Sequence, residues 1–215
     1  MSWSSGKDSA MALHLLRESG AVEVVGLLVT CNASTDRVSI HGVRRELVRA
    51  QAGRLGLPLL EVDLPSPCSN EVYERTMSHR LEAEAAKGVA SIAFGDLFLE
   101  DVRAYREAQL KAVGMTAAFP LWGRPTGELA RDQIRVGIRA IVTCVDPKAA
   151  SPEFAGRHFD SPLLAELGPA VDPCGENGEF HTFVWDSPDF SSPIPVTAGE
   201  RVKRDGFVFA DLLPG

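Results

Sequence analysis

Ser4-Ser5-Gly6-Lys7-Asp8-Ser9 is the stretch whose reading decides the fold, and only Met1, Ser2 and Trp3 precede it. Small residues come first, then a cation, an anion and a hydroxyl. Ala10, Met11, Ala12, Leu13, Leu15 and Leu16 follow with the spacing of a buried helix that stops near Gly20. Small residues ahead of a helix let its free N–H groups approach an anion, and the helix dipole favours negative charge there. Lys7 can reach a phosphate as a point charge. Asp8 repels a bare phosphate, so its place suggests a bridging Mg²⁺ or a turn contact. Ser9 can donate to a phosphate oxygen or cap the helix. The spacing is not that of a Walker A loop, which needs four residues between its first Gly and its Gly-Lys pair. Taken alone, the six residues also fit a plain Ser/Gly turn with an N-cap.

The surrounding chain alternates. Glu23 to Thr30 is a continuous apolar run suited to a parallel strand covered on both faces. Ala33 to Asp36 reads as a polar loop, and His41 to Leu55 as a helix closed by Gly56. Leu59 to Leu64 and Val89 to Phe94 read as strands, Asn70 to Lys87 and Val102 to Val113 as helices, and Met115 to Phe119 as a further short strand. Alternation of this kind predicts an α/β fold, a doubly wound parallel sheet with ligands at the carboxyl ends of the strands. The Ser4–Ser9 loop, Thr30-Cys31-Asn32 and Gly95 to Asp101 all arrive at that edge. Met1–Trp3 falls short of the five or six residues usual for a strand, so the first strand is expected to be clipped or to begin upstream.

Beyond Phe119 the pattern changes. A helix is expected from Thr126 to Val136, a strand from Ile138 to Val145, and then a Pro-rich region with a short helix near Leu163 to Leu167. His181 to Asp186 reads as a strand, and Arg201 to Phe209 as a hairpin turning at Asp205-Gly206. The expected division is 1–119 and 120–215, the second part smaller and α+β. Its densest polar cluster is Cys174-Gly175-Glu176-Asn177-Gly178-Glu179-Phe180-His181-Thr182, which by composition alone reads first as a surface turn with solvated charges.

Composition bounds the function. The 215 residues are 45% hydrophobic and 24% charged, as in ordinary globular proteins, with a net charge of −7. An acidic chain argues against a broad nucleic-acid surface. No apolar run is long enough for a transmembrane helix, and nothing reads as a signal peptide, so no membrane role is expected. The cysteines Cys31, Cys68, Cys144 and Cys174 are far apart. They suggest a reduced, cytoplasmic setting rather than a disulfide or zinc framework.

The opening loop resembles the SGGxDS pyrophosphate loop (PP-loop) of N-type ATP pyrophosphatases, with Ser5 where that family usually carries Gly. Together with Gly95-Asp96-Leu97, Pro120-Leu121-Trp122 and Gly175-Glu176-Asn177-Gly178-Glu179-Phe180-His181-Thr182, the chain from Ser4 to about Val184 resembles the diphthine–ammonia ligase branch. The resemblance implies a nucleotide domain of HUP (adenine nucleotide alpha hydrolase-like) type and a second domain holding the acceptor. It also implies ATP with Mg²⁺, a carboxylate acceptor on a small molecule or modified protein, free ammonia, and room for a homodimer. On that basis Lys7 and Ser9, with Ser4 and the backbone of Ser5 and Gly6, are expected at the β- and γ-phosphates. Asp8 and Asp96 are the metal candidates. Thr30, Asn32 and His41 are expected beside adenosine, Gly95 beside the nucleotide, and Asp96, Glu100 and Arg103 at a second Mg²⁺ or the α-phosphate. Glu176, Glu179 and His181 are expected to recognise the acceptor or take a proton from the amine. Rival readings are a tRNA-modifying PP-loop enzyme using Cys144 or Cys174, and an adenine-nucleotide sensor without ligase activity.

Overall fold

The computed structural model describes residues 1–39 and 41–215. The loop's placement follows from the first three residues. Trp3 N–H donates to the Leu28 carbonyl and Leu28 N–H to the Met1 carbonyl, both at 2.8 Å, and Ser2 N–H donates to the Ala93 carbonyl at 2.9 Å. Short as it is, Met1–Trp3 therefore joins two halves of a sheet. On one side β1 (Leu27–Asn32) runs parallel to β3 (Leu59–Leu64), and on the other β4 (Ser91–Ala93) runs parallel to β5 (Thr116–Ala118). The order across the sheet is β3, β1, Met1–Trp3, β4, β5. Helices α1 (Lys7–Ser19), α2 (Arg45–Leu55), α3 (Asn70–Ala85) and α4 (Glu100–Ala112) make the crossovers. This is an α/β fold with a parallel sheet, and the order reverses at Met1–Trp3, where such sheets open their ligand crevice. The Ser4–Ser9 loop leaves the sheet at that point.

Local expectations met two corrections here. Residues 33–36 do form a turn, but the chain beyond it returns as β2 (Arg37–Val38), antiparallel to the end of β1. Helix α2 begins at Arg45, not at His41, because a tight turn comes first: Gly42 N–H bonds back to the Val38 carbonyl and Gly42 adopts φ 66°. A glycine is required there twice over, since a Cβ would also stand 2.8 Å from the Phe209 ring.

The remainder is an antiparallel sheet around β6 (Arg139–Val145), preceded by α5 (Thr126–Val136). β6 pairs with β7 (His158–Phe159), β8 (Phe180–Asp186) and β10 (Phe207–Pro214), and β10 pairs with β9 (Val196–Arg204). A short helix, α6 (Ser161–Glu166), follows β7. The β9–β10 hairpin turns at Asp205-Gly206 with φ 51° and 86°, the paired positive angles of a type I′ turn.

Strand β8 binds this sheet to the loop. Val184 N–H donates to the Ser5 carbonyl at 2.9 Å and Lys7 N–H to Thr182 Oγ at 3.2 Å. Gln51, fully buried, ties the junction: its Nε2 donates to the carbonyls of Ser5 (3.0 Å) and Val184 (2.6 Å), and its Oε1 accepts from the Trp3 indole at 2.8 Å. One hydrophobic cluster runs through the contact, from Leu13, Leu27 and Leu47 to Ala140, Phe183 and Val184. A second cluster, including Leu28, Met77, Leu81 and Ile92, fills the opposite face of the parallel sheet.

Truncating Gln51 strands a buried indole N–H and weakens two carbonyl contacts. Gln51→Ala is expected to lower the unfolding free energy by about 2–4 kcal/mol, read by urea denaturation. A loss within about 0.5 kcal/mol, the range of ordinary surface changes, would contradict the role given to this side chain.

Candidate functional site

The loop places its side chains in two directions. Ser5 turns inward: it is fully buried, its φ is 71°, and its hydroxyl has no hydrogen-bond partner. This left-handed geometry is natural for the glycine expected at that position and strained for serine. Ser5 does not present its side chain to the cavity beyond the loop, and the phosphate contact expected of it is through its backbone. Its carbonyl serves Gln51 and Val184. Ser4, Lys7, Asp8 and Ser9 do face that cavity, of about 320 Å³. Ser4 Oγ lies 3.1 Å from Ser9 Oγ and accepts the Gly6 amide at 3.2 Å.

Lys7 is 2% exposed. Its Nζ donates to Asp8 Oδ2 at 2.8 Å and to the Cys174 carbonyl at 2.5 Å, and lies 5.2 Å and 5.5 Å from the Phe159 and Phe180 ring centres. Burial opposes its charge, yet Asp8 and, more weakly, Glu176 outweigh that and raise its pKa. The ammonium stays charged with two of its three donors engaged. Asp8 Oδ1 accepts from Gln133 Nε2 of α5 at 2.8 Å.

Opposite the loop, Gly95 stands against the first turn of α1, where a Cβ would come 2.9 Å from the backbone of Asp8 and Ser9. Only glycine lets the two chains approach so closely. Asp96 follows, held by Arg106: Nε to Oδ2 is 2.6 Å and Nη2 to Oδ1 is 3.1 Å. The Arg106 guanidinium also lies 4.4 Å from the Phe94 ring centre. Glu176 Oε1 accepts the Leu97 amide at 2.7 Å, so the second half of the chain closes over the Gly95–Leu97 loop. Asp8, Asp96 and Glu176 thus share one cavity. Burial, followed by the charges of Asp8 and Asp96, lifts Glu176 to about 7 against the opposing pull of the Leu97 amide.

Other expected residues behave differently. Glu100 is exposed on α4, and Arg103 pairs with Glu107 at 2.8 Å while stacking on Phe119 and Trp122. Neither lines the cavity; Arg106, one turn along, takes the place expected of Arg103. Glu179 is buried and engaged by its own loop, accepting from the amides of Asp172 (2.9 Å) and Asn177 (3.0 Å) and from the Asn177 side chain (3.1 Å). It shapes the turn, with both carboxylate oxygens engaged. His41 and His181 stack with ring centres 4.6 Å apart. Desolvation first, then Lys7 on both rings and His41 on His181, depresses them to about 4 and about 3. Both rings are neutral at pH 7, although each keeps an edge on the cavity.

Thr30 and Asn32 line a larger cavity of about 650 Å³. Its floor is apolar, with Leu28, Met77 and Ile92, and it shares Ser4, His41, Phe94 and Arg106 with the loop cavity. Among the described residues no group of three or more His, Cys, Asp or Glu side chains is arranged to hold a metal ion. None of their helices is long and apolar enough to cross a membrane.

Two family models match this chain. A diphthamide synthase N-terminal domain covers residues 1–117, and a diphthamide synthase C-terminal domain covers residues 126–211. The chain belongs to the diphthamide synthase family. Among its curated relatives is a cattle protein named diphthine–ammonia ligase, 31% identical over 129 residues, or 58% of this chain and 48% of the relative. The human protein of that name matches to the same extent, and a zebrafish one is 25% identical over 97% of this chain and 90% of its own length. The matched region spans about half the length of the mammalian relatives.

Sequence reasoning missed Arg106, Gln133 and the Cys174 carbonyl. Arg103 and Arg106 are both on α4, and nothing in their spacing tells which one meets Asp96. Gln133 carries no motif, and a backbone carbonyl leaves no trace in side-chain patterns.

Glu176 supplies a pH test. Its folded pKa is raised, so the folded state holds more protons than the unfolded chain between pH 4.5 and about 7, and its contribution to stability falls as pH rises through that window. Glu176→Gln keeps the acceptor for the Leu97 amide. Its stability relative to wild type is expected to grow across the window by about 1–2 kcal/mol after solvent screening. Urea midpoints measured from pH 4 to 8 check this, and a difference that is flat with pH contradicts it.

Proposed function

We propose that this protein is an ATP-dependent amide-forming ligase, which adenylates a carboxylate with release of pyrophosphate and transfers it to ammonia. The observation that carries the reading is the loop at the switch point of the parallel sheet. Its Lys7 and Ser9 open on a cavity that continues into one large enough for a nucleoside. The names of the relatives, diphthine–ammonia ligase, agree with it. On this reading residues 1–119 form a HUP-type nucleotide domain, which the strand order supports, and residues 120–215 hold the acceptor.

The chemistry divides among the chain's own groups. Adenosine lies in the larger cavity beside Thr30, Asn32 and His41. The α1 N-terminus, Ser4, Ser9 and the free donor of Lys7 hold the departing diphosphate. The acceptor carboxylate attacks the α-phosphorus as the bond to the β-phosphate oxygen breaks, giving an acyl-adenylate. Ammonia then attacks the acyl carbon and AMP departs with the bonding pair. Glu176, poised near neutrality, is matched to accept the proton released by the amine, whereas His181 is too weak a base. The oxygen donors fit Mg²⁺ of the kind that binds through one or two carboxylates and phosphate oxygens: Asp8 and Asp96 would hold it. Bound there, it supplies neutralisation of phosphate charge.

The tRNA-modifying alternative is not favoured. Cys144 and Cys174 are buried, desolvation pushes the Cys144 thiol up to about 12, and Cys174 is raised as well. Neither offers a thiolate. All four cysteines are free, which suits a reducing, cytoplasmic setting.

Incubation with ATP, ammonia and a diphthine-bearing acceptor is expected to yield AMP and pyrophosphate, and Lys7→Ala or Asp8→Ala to abolish both. Formation of ADP, or full activity in either variant, contradicts the reading. ATP binding without turnover would return the protein to the sensor class.

A further inference from the structure

A third cavity, of about 380 Å³, lies between the β9–β10 hairpin and the β2 ribbon. It shares Asn32, Val38 and Ser39 with the larger cavity and His181 with the loop cavity. Its walls combine the rings of Phe207 and Phe209 with the hydroxyls of Thr35 and Ser39. Two arginines line it. Arg37 is already committed, 2.8 Å from Asp211, which Arg44 also grips at 2.6 Å. Arg204 is exposed, stacks 4.5 Å above the Phe209 ring, and forms no ion pair among the described residues. Its neighbour Asp205 also lines the cavity but is not paired with it.

A ligase that takes a carboxylate acceptor as well as ATP needs a second way in once the nucleotide fills the first two cavities. We propose that this third cavity admits the carboxylate acceptor, and that Arg204, flattened on Phe209, recognises the carboxylate at its mouth. The inference rests on the ligase reading and adds the acceptor's route and its specificity residue. Guanidinium is suited to the task, because its planar fork matches a carboxylate and its face packs on an aromatic ring. The open cleft by Tyr73 and Tyr105 also adjoins both nucleotide cavities, but it carries Glu74, and its one cation, Arg106, is taken by Asp96. It offers a carboxylate no uncommitted cation.

The test uses butyrate as the probe and the full chain saturated with α,β-methylene ATP, which cannot lose pyrophosphate. Titration is followed by the ring signals of Phe207 and Phe209 in NMR spectra. Wild type is expected to show saturable shifts at both rings. Arg204→Gln is expected to weaken binding roughly tenfold or more, and Arg204→Lys less, because a charge-assisted hydrogen bond is lost in the first and only its geometry in the second. Melting temperatures of the variants close to wild type show that the hairpin is intact. Absence of shifts in wild type, or equal affinity in Arg204→Gln, overturns the port. Failure to form AMP with a diphthine-bearing acceptor, whatever butyrate does, overturns the ligase reading instead, so the two failures are told apart.

Discussion

The structure depends on the contact between the Ser5–Lys7 backbone and strand β8. A loop that leads into a helix exposes backbone groups by necessity, and the groups that do not face the cavity must find partners elsewhere. Here they find them across the molecule, at Val184, at Thr182 and at Gln51. The loop is therefore held from behind by the second half of the chain. Both halves line the loop cavity, and one hydrophobic cluster runs through the junction between them.

Charge is arranged with the same economy. Lys7 is buried, but it sits among Asp8, the Cys174 carbonyl and two aromatic rings, so its ammonium is compensated rather than stranded. The carboxylates of Asp8 and Asp96 are each tied to a cation. Glu176 has only an amide, and burial, with the charges of Asp8 and Asp96, pushes it toward neutrality. The proton affinity of Glu176 is thus set by its surroundings rather than by its residue type.

Much of the fold was legible beforehand because parallel strands and their crossover helices leave strong local patterns. The apolar run ending in Thr30-Cys31-Asn32, the helix from Thr126 to Val136 and the Asp205-Gly206 turn lie where periodicity and turn chemistry put them. Met1–Trp3 was harder. Three residues carry no periodicity, and their place in the sheet rests on backbone hydrogen bonds to Leu28 and Ala93, segments far along the chain. The same limit explains the start of α2, where the ring of Phe209 over Gly42 holds a turn that the residues around His41 do not announce.

The residues alone determined that a small-residue loop opens the first helix of an alternating α/β chain, because glycine, charge and apolar spacing act locally. Tertiary structure decided which groups meet there. It turned Ser5 inward, chose Arg106 over Arg103, tied Glu179 into its own turn, and brought Glu176 to Leu97 and His41 to His181. Those outcomes follow from contacts between segments distant in the chain, whose burial and pairing energies no local pattern contains.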